Sequence, residues 1–354
     1  MKYICILALL LEYSISVFAQ IGGRNIFDFL RLPPNALTAA LGGTVVSLQD
    51  RASYALQNPA ALHDSAHTHL NFSIHDFIGD LSYGTVAYAH SIPEVGNFQM
   101  GIQYFHYGTF QGADVFGNLQ STFTANDLAF IVGTSRTWGK FSAGANFKLI
   151  HSAFAYQSLW GITVDFGGMY TNLSKGLGIG CVFRNLGFQL NSLAGERYSL
   201  PFEILLGISQ RVPHTPFRIS LTLTNLQQPR LVKNDEVQPI QYDLTGKPIP
   251  PPNRTVDNIF RHCIWGLELL LHRNFHIRVS YNHQRRQELK AAEQTFSFHG
   301  FSLGAGIKIN RFFLDYAYSG YHSFANAHFF TITTSIQAFR KRKGETTESK
   351  GENK

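Results

Sequence analysis

The chain has 354 residues and a net charge of +7, with 14% aromatic and only 15% charged residues. A soluble domain usually has about a quarter of its residues charged, so this composition argues against an ordinary soluble surface. Mean hydropathy is nevertheless close to neutral, which excludes a bundle of membrane helices with runs of roughly 20 apolar residues. These properties are typical of membrane strands that are apolar on one side only.

The first 19 residues have the features of a secretory signal peptide. Lys2 precedes an apolar run at residues 4–11, and Val-Phe-Ala at residues 17–19 provides a small-x-Ala cleavage site. The apolar run is too short to cross a bilayer as a helix. The signal peptide is therefore predicted to be removed on export, with Gln20 as the first mature residue.

Residues 20–66 do not alternate like strands, and they contain turn-forming residues. Gly42 and Gly43 permit tight backbone turns, and Asn58-Pro59 favours a turn. Ahead of a barrel with room inside, such a segment is predicted to fold into the lumen as a hatch. The Gly-Gly pair is too weak a signal for a phosphate-binding loop. The residues expected to have a structural role in the hatch are Gly42, Gly43, Asp50, Asn58, Pro59 and Ala60.

Residues 67–339 have a dominant period of two, which predicts strands with one apolar face. The predicted fold is all-β, an antiparallel outer-membrane β-barrel of about fourteen strands, each near the roughly 9–11 residues needed to cross a bilayer at a tilt. A change of phase near Gly300 predicts a bulge. The predicted strands are 68–76, 80–91, 97–107, 126–138, 140–151, 158–171, 176–185, 200–211, 217–226, 261–271, 274–284, 295–309, 311–319 and 328–339.

The predicted connections alternate between short and long. Bacterial barrels have short periplasmic turns and longer extracellular loops, and a soluble β-sandwich has no reason to sort its loops in this way. Residues 340–354 begin with Arg-Lys-Arg-Lys and are expected to form a basic periplasmic tail that is solvated or touches anionic lipid headgroups. Nucleic acid is not an expected partner of an exported chain. The long connections are predicted at 106–125, 185–199, 227–260, 285–294 and 320–327.

Charged residues within the predicted strands fall on the polar face, which is the inner face of a barrel. At mid-bilayer on the lipid face each would cost about 2–4 kcal/mol, so their phase supports the assignment. They could line a pore selective for one sign, but their balanced signs favour pairing with one another and with the hatch. The predicted lumenal charges are Lys148, Asp165, Arg184, Glu203, Glu268, Arg278, Lys308 and Asp315.

Three features of the hatch occur together: an Ala/Gly-rich stretch at residues 39–43, the acidic Asp50, and Asn58-Pro59-Ala60. In this the sequence resembles the FadL superfamily of fourteen-stranded outer-membrane proteins, whose members carry a small N-terminal hatch with these features. The motif does not choose among the branches of the superfamily.

Four further segments narrow the resemblance: Gly22-Gly23 with the aromatic residues that follow, and residues 104–110, 200–204 and 216–222. They resemble the PorQ family of the type IX secretion system, in the branch that also contains PorV. This resemblance implies an outer-membrane protein that holds the surface protein PorZ, in an attachment complex with PorV and the sortase PorU. That complex links exported cargo to anionic lipopolysaccharide. The loop 227–260 and the basic tail depart from the family pattern.

Two other functions are open on the sequence. FadL-like transport of hydrophobic compounds needs an apolar lumenal pocket and a lateral path through the wall, and the balanced lumenal charges argue mildly against it. A sortase-like or lipid-modifying enzyme needs a convergent nucleophile and base, and no such motif is present. No cofactor or metal is expected: His67 and His69 share a strand face, but nothing places four ligands around one point.

For the anchoring function, the extracellular loops are expected to contact the partner, chiefly the loop 227–260. Proline residues in it would stiffen an extended chain and lower the entropy lost on docking. A flexible insertion tolerated at the surface explains the loop equally well. The residues expected to take part in contact are Pro248, Pro250, Pro251 and Pro252.

Overall fold

The computed structural model describes residues 25–339, except 50, 78, 115, 156, 193–194, 232–254, 290–297 and 323–324. Within this part of the chain, fourteen antiparallel strands form a closed barrel. In chain order they are β1 His69–Asp76, β2 Ser82–Ile92, β3 Gly96–Ala113, β4 Leu119–Trp138, β5 Phe141–Phe154, β6 Gln157–Asn172, β7 Leu177–Gln189, β8 Glu203–Arg211, β9 Phe217–Leu223, β10 Cys263–His272, β11 Phe275–Asn282, β12 Phe301–Ile309, β13 Phe312–His322 and β14 Ala325–Ser335.

Each strand pairs with the next one along the chain, and β14 pairs with β1 to close the wall. Closure removes the free edges of the sheet, which is the condition for strands to cross a bilayer. The predicted fold, a fourteen-stranded antiparallel barrel, is confirmed.

The helices are short. Helix α1 (Ala36–Ala40) packs inside the barrel against β11, β12, β13 and β14, whereas α2 (Thr255–Arg261) and α3 (His283–Glu288) lie in long connections. Single turns of 3-10 helix are found at Asp28–Arg31, Ala52–Tyr54, Pro59–Ala61, Asp64–Ala66 and Ile336–Phe339. No helix among the described residues has the length and apolarity required to cross a membrane.

The two ends of the barrel differ in their connections. At one end all the turns are short: 93–95, 139–140, 173–176, 212–216, 273–274 and 310–311. The opposite end carries the longest connections, 190–202, 224–262 and 283–300. Since outer-membrane barrels have short periplasmic turns, we take the first end as periplasmic and the second as extracellular.

The outer surface of the wall is apolar. Each of the fourteen strands presents at least one large apolar or aromatic side chain to the exposed face, such as Phe72 in β1, Phe147 in β5 and Ile332 in β14. A soluble protein would not expose so large a continuous apolar surface, whereas lipid solvates it. The chain is an outer-membrane β-barrel, as its sequence predicted.

Several predicted boundaries are wrong. The predicted loop 106–125 is mostly strand, because β3 and β4 continue as a two-stranded ribbon whose Phe110 and Phe123 stack at 5.4 Å. The predicted bulge at Gly300 is a turn with a positive φ of 81°, after which β12 begins. The loop predicted at 320–327 is also largely strand, and β14 ends at Ser335, followed by 3-10 helix. A ribbon above the membrane is held by backbone hydrogen bonds and needs no apolar face towards lipid. Its sequence therefore shows no regular alternation of apolar and polar residues.

Candidate functional site

The hatch, residues 25–68, spans the lumen from end to end. Asn25 forms a bridge with Ser199 in an extracellular connection. At the periplasmic end, the Thr68 hydroxyl lies 2.9 Å from that of Ser335 in β14. Between these points almost every hatch residue from 35 to 48 is buried. The hatch therefore fills the middle of the barrel and is attached at both of its ends.

Two buried asparagines hold the hatch in shape. Asn35 caps α1 by accepting a hydrogen bond from the Thr38 amide at 2.9 Å. Asn58 accepts from the Ala60 amide at 3.0 Å, so it caps the turn that begins at Pro59, and its own amide donates to the Val46 carbonyl at 2.6 Å. Of the predicted residues Asn58, Pro59 and Ala60, Asn58 thus joins the turn at Pro59 to the segment around Val46 through its side chain.

Gly42 and Gly43 end helix α1 and allow the wall to approach. Their φ angles are +89° and +99°, a region that favours glycine, and the Gly43 amide donates to the Thr38 carbonyl at 2.9 Å. A Cβ atom on Gly43 would lie 2.8 Å from Arg285, and one on Gly42 would overlap Ile264. Arg285 donates to the Gly42 carbonyl at 3.1 Å. The glycine pair is thus a packing feature between hatch and wall.

The predicted lumenal charges form two groups of ion pairs. In the first group, Lys148 lies 2.8 Å from Asp165, and both side chains are buried. Arg184 bonds Glu203 at 2.9 Å, and Arg31 of the hatch reaches the other oxygen of the same carboxylate at 3.1 Å. A hatch side chain is therefore part of the ion pairs of the wall.

The second group is centred on Arg278, which is only 1% exposed. Its guanidinium donates to Glu268 and to Asp315, both at 2.9 Å. Arg51 of the hatch bonds the second oxygen of Asp315 at 2.8 Å, and Arg218 of β9 bonds Glu268. Burial of such charges is tolerated only when they are paired and hydrogen-bonded, and here all five are.

Other predicted residues lie elsewhere. Lys308 follows the inward phase of β12, but its side chain is exposed at the periplasmic rim, because β12 ends one residue later. Its Nζ lies 4.9 Å from the centre of the Phe313 ring. Its assignment to the lumen is therefore corrected. Asp50 and the loop prolines Pro248, Pro250, Pro251 and Pro252 lie outside the described residues, as do the predicted signal peptide and the basic tail.

Three arginines that complete the ion pairs were not predicted from the sequence. Arg218 could have been found, because it shares the inward face of β9 with Ser220 and lies opposite Glu268 in the register. Arg31 and Arg51 carry no such signal, because the hatch has no period from which to read a face.

Part of the extracellular half of the lumen is filled by apolar, mostly aromatic, side chains of the chain itself. Phe27, Phe29 and Leu30 of the hatch form one buried cluster with Tyr83 and Phe105 of the wall. Each of these five side chains is at most 6% exposed. The apolar space between hatch and wall is therefore occupied by the chain's own residues.

The wall has an opening on the extracellular side, between β7 and β8. Their ladder ends at the pair Arg184–Glu203, and β7 continues to Gln189 without β8 beside it. The Tyr198 amide bridges this opening by donating to the Gln189 side chain at 3.0 Å. A cavity of 330 Å³ lies here, with Phe188 and Leu200 in its lining.

One carboxylate joins the two extracellular helices, α2 and α3. Asp257 of α2 bonds His283 of α3 at 2.8 Å and Arg261 at 2.9 Å. Partial burial opposes the charge of Asp257, but the hydrogen bonds from His283 and Arg261 outweigh it and lower the pKa of this carboxyl. Val256 and Ile259 of α2, on either side of Asp257 in the sequence, are exposed. The surface end thus presents an ordered helical element with apolar side chains.

Replacing Asn58 with alanine is expected to loosen the hatch by about 1–3 kcal/mol, because the Val46 carbonyl and the Ala60 amide would be left buried without a partner. Hydrogen exchange of amides in residues 44–62 should become faster in the purified barrel. The control is Asn118→Ala, which changes an exposed turn. Equal exchange in the two variants would contradict the structural role of Asn58.

Among the residues described, no three His, Cys, Asp or Glu side chains are grouped so that they could hold a metal ion. His67 packs against His90, with ring centres 4.7 Å apart.

No protein-family model and no curated protein matches this chain in sequence. Solved structures do match. The toluene transporter TbuX of Ralstonia pickettii gives a TM-score of 0.50 at 12% identity, over 87% of this chain and 99% of that one. The toluene transporter TodX of P. putida gives 0.53 at 11% identity, over 85% and 98%. At these identities the similarity shows the fold alone, which agrees with the antiparallel barrel that the sequence predicted.

Proposed function

We propose that this protein is a closed outer-membrane anchor that holds a partner at the cell surface and does not conduct solutes along its lumen. The observation that carries the proposal is the hatch, which fills the middle of the barrel and forms ion pairs with the wall through Arg31 and Arg51. A lumen crosslinked in this way suits a rigid support. The ordered helices α2 and α3 offer part of a surface for contact.

The PorQ-like motifs supply the partners of this proposal. They make PorZ the expected surface partner, with PorU and PorV in the same attachment complex, where cargo is joined to lipopolysaccharide. The fold similarity does not bear on these partners, so they rest on the sequence motifs. The loop 227–260, with its prolines, is the segment proposed to make much of the contact.

The test is a pull-down of the tagged, full-length protein from outer membranes in mild detergent, followed by mass spectrometry. Recovery of PorZ with PorU and PorV would support anchoring. A variant with residues 248–252 replaced by a Gly-Ser stretch of equal length should recover less PorZ, while a variant with a Gly-Ser replacement of the same size at the 114–118 turn serves as the control. Recovery of the barrel alone would contradict the proposal.

The second candidate is the passage of small hydrophobic compounds through the wall. The opening between β7 and β8, with its 330 Å³ cavity, favours it. The fold comparisons favour it more than anchoring, since TbuX and TodX are both described as toluene transporters. The aromatic cluster of the hatch argues against it, because it occupies the apolar space to which such a path would lead.

Uptake of a radiolabelled monoaromatic compound would separate the two candidates. Transport predicts faster uptake in cells that make this protein than in cells that lack it. It also predicts a loss of uptake in the Phe188→Glu variant, whose charge would lie beside the cavity. The matched control is Phe183→Tyr, which lies on the outer face of the same strand but nearer to the periplasmic end. Equal uptake with and without the protein would exclude transport.

A further inference from the structure

A cavity of 750 Å³ opens at the periplasmic end of the barrel, below the hatch. We call it the periplasmic vestibule. Apolar side chains of hatch and wall form part of its lining: Leu48 and Met169 are almost fully buried, whereas Leu173 is exposed and Leu270 is half-buried. Arginines from the ends of neighbouring strands complete the lining: Arg211, Arg218 and Arg273. The vestibule therefore combines apolar surface with a cationic edge.

The register of the wall places two of these arginines face to face. Arg211, the last residue of β8, is the direct cross-strand partner of Arg218 in β9. Both follow the inward phase of their strands, shared with Ser209 and Ser220. Like charges directly opposite on a sheet destabilise it. A pair of this kind within a cavity is the arrangement expected where an anion binds between them.

The carboxylates nearby are already engaged. Glu268 bonds both Arg218 and Arg278, and Asp315 bonds Arg278 and a hatch arginine. Among the described residues, Arg211 and Arg273 take part in no ion pair. Asp64, on the hatch side, is the one carboxylate among the described lining residues, and it is exposed. The chain therefore pairs Arg218 itself, whereas Arg211 and Arg273 have no carboxylate partner among the described residues.

The turns around the vestibule have the same sign. Lys140, Lys175 and Arg311 occupy or adjoin periplasmic turns, and all three are exposed. Among the described residues of these turns, Glu94 is the one acidic residue. A rim with this excess of positive charge attracts negatively charged partners from the periplasm.

We propose that the periplasmic vestibule binds an acidic peptide segment of a periplasmic protein. A carboxylate of the segment would bond Arg211 in the bidentate geometry that a guanidinium favours. Its negative charge would reduce the repulsion between Arg211 and Arg218. A neighbouring apolar side chain would rest against Leu173 and Leu270, which a bare inorganic anion would leave uncovered. The barrel would then bind partners at both of its ends, which goes beyond anchoring at the surface.

The test measures binding of a fluorescein-labelled peptide of alternating Glu and Leu to the full-length protein in lipid nanodiscs, by fluorescence anisotropy. A Lys-Leu peptide of the same length is the control probe. The Glu-Leu peptide should bind, more weakly as salt is raised. Arg211→Gln should weaken it about tenfold or more, because it removes the charge and the bidentate contact of the guanidinium. Arg136→Gln, on the outward face of the rim, should change it little.

Folding of the variant provides an independent readout. Because Arg211→Gln removes a like-charge contact, the barrel without peptide should resist heat at least as well as the parent protein. A loss of heat resistance would show that Arg211 has a structural role and overturn the proposal. Equal binding of the two peptides, or Glu-Leu binding unaffected by Arg211→Gln, would also overturn it. So would Arg211-dependent binding of dodecanoate without any binding of peptide, which would assign the vestibule to small amphiphiles.

Discussion

Replacing Asp165 with asparagine is expected to destabilise the barrel by about 3–5 kcal/mol, because it leaves Lys148 as a buried charge without its counterion. The lysine side chain is 3% exposed and the carboxylate 0%. Asparagine has the same shape and can still accept the hydrogen bond from the Asn185 amide, which Asp165 accepts at 2.8 Å. The loss would therefore report charge and not packing. Urea unfolding in detergent micelles, followed by tryptophan fluorescence, measures it.

Two further variants serve as controls for the expected effect of Asp165→Asn. The double variant Asp165→Asn with Lys148→Met removes both charges and should recover much of the lost stability, since neutral replacement of a whole buried pair is often tolerated. Glu94→Gln, in an exposed periplasmic turn, should stay within about 0.5 kcal/mol of the parent. If Asp165→Asn alone unfolds at the same urea concentration as the parent, the pair does not stabilise the barrel.

Alanine at both Gly178 and Gly180 is expected to open the lumen. These inward-facing glycines of β7 lie against the hatch backbone: a Cβ atom on Gly178 would overlap the Ser47 carbonyl, and one on Gly180 the Val46 carbonyl. A backbone carbonyl cannot turn aside as a flexible side chain can, so the hatch must move away from the wall. Single-channel recordings in planar bilayers should then show conductance where the parent protein shows a closed baseline.

The neighbouring strand offers a matched control. Gly168 of β6 has open space at its Cβ position, so Gly168→Ala should leave the barrel closed. Heat-resistant migration on gels shows whether each variant is folded, and Gly180→Ala alone serves if the double variant does not fold. A folded double variant that stays closed would contradict the account of the hatch as a seal held by close backbone contact. It would also weaken the argument for a rigid anchor.

The sequence by itself was sufficient for the class of fold. A period of two shows which side chains face lipid and which face the interior, and this is a local property of each strand. The outward phase of residues such as Phe147 and the inward phase of Lys148 therefore follow from alternation alone. The hatch was recognisable because Gly42, Gly43 and Asn58 are residue types selected by local backbone geometry and capping.

Only the tertiary structure decided which charges meet and how deep each one lies. Alternation gives the face of a residue but neither its register against the next strand nor its height in the membrane. Lys148 and Lys308 have the same phase, yet one is buried in an ion pair and the other is exposed at the rim. The contacts of Arg31 with Glu203, and of Arg51 with Asp315, depend on closure of the barrel around the hatch. These long-range contacts have no local signature, because they join segments whose separation along the chain says nothing of their distance in space.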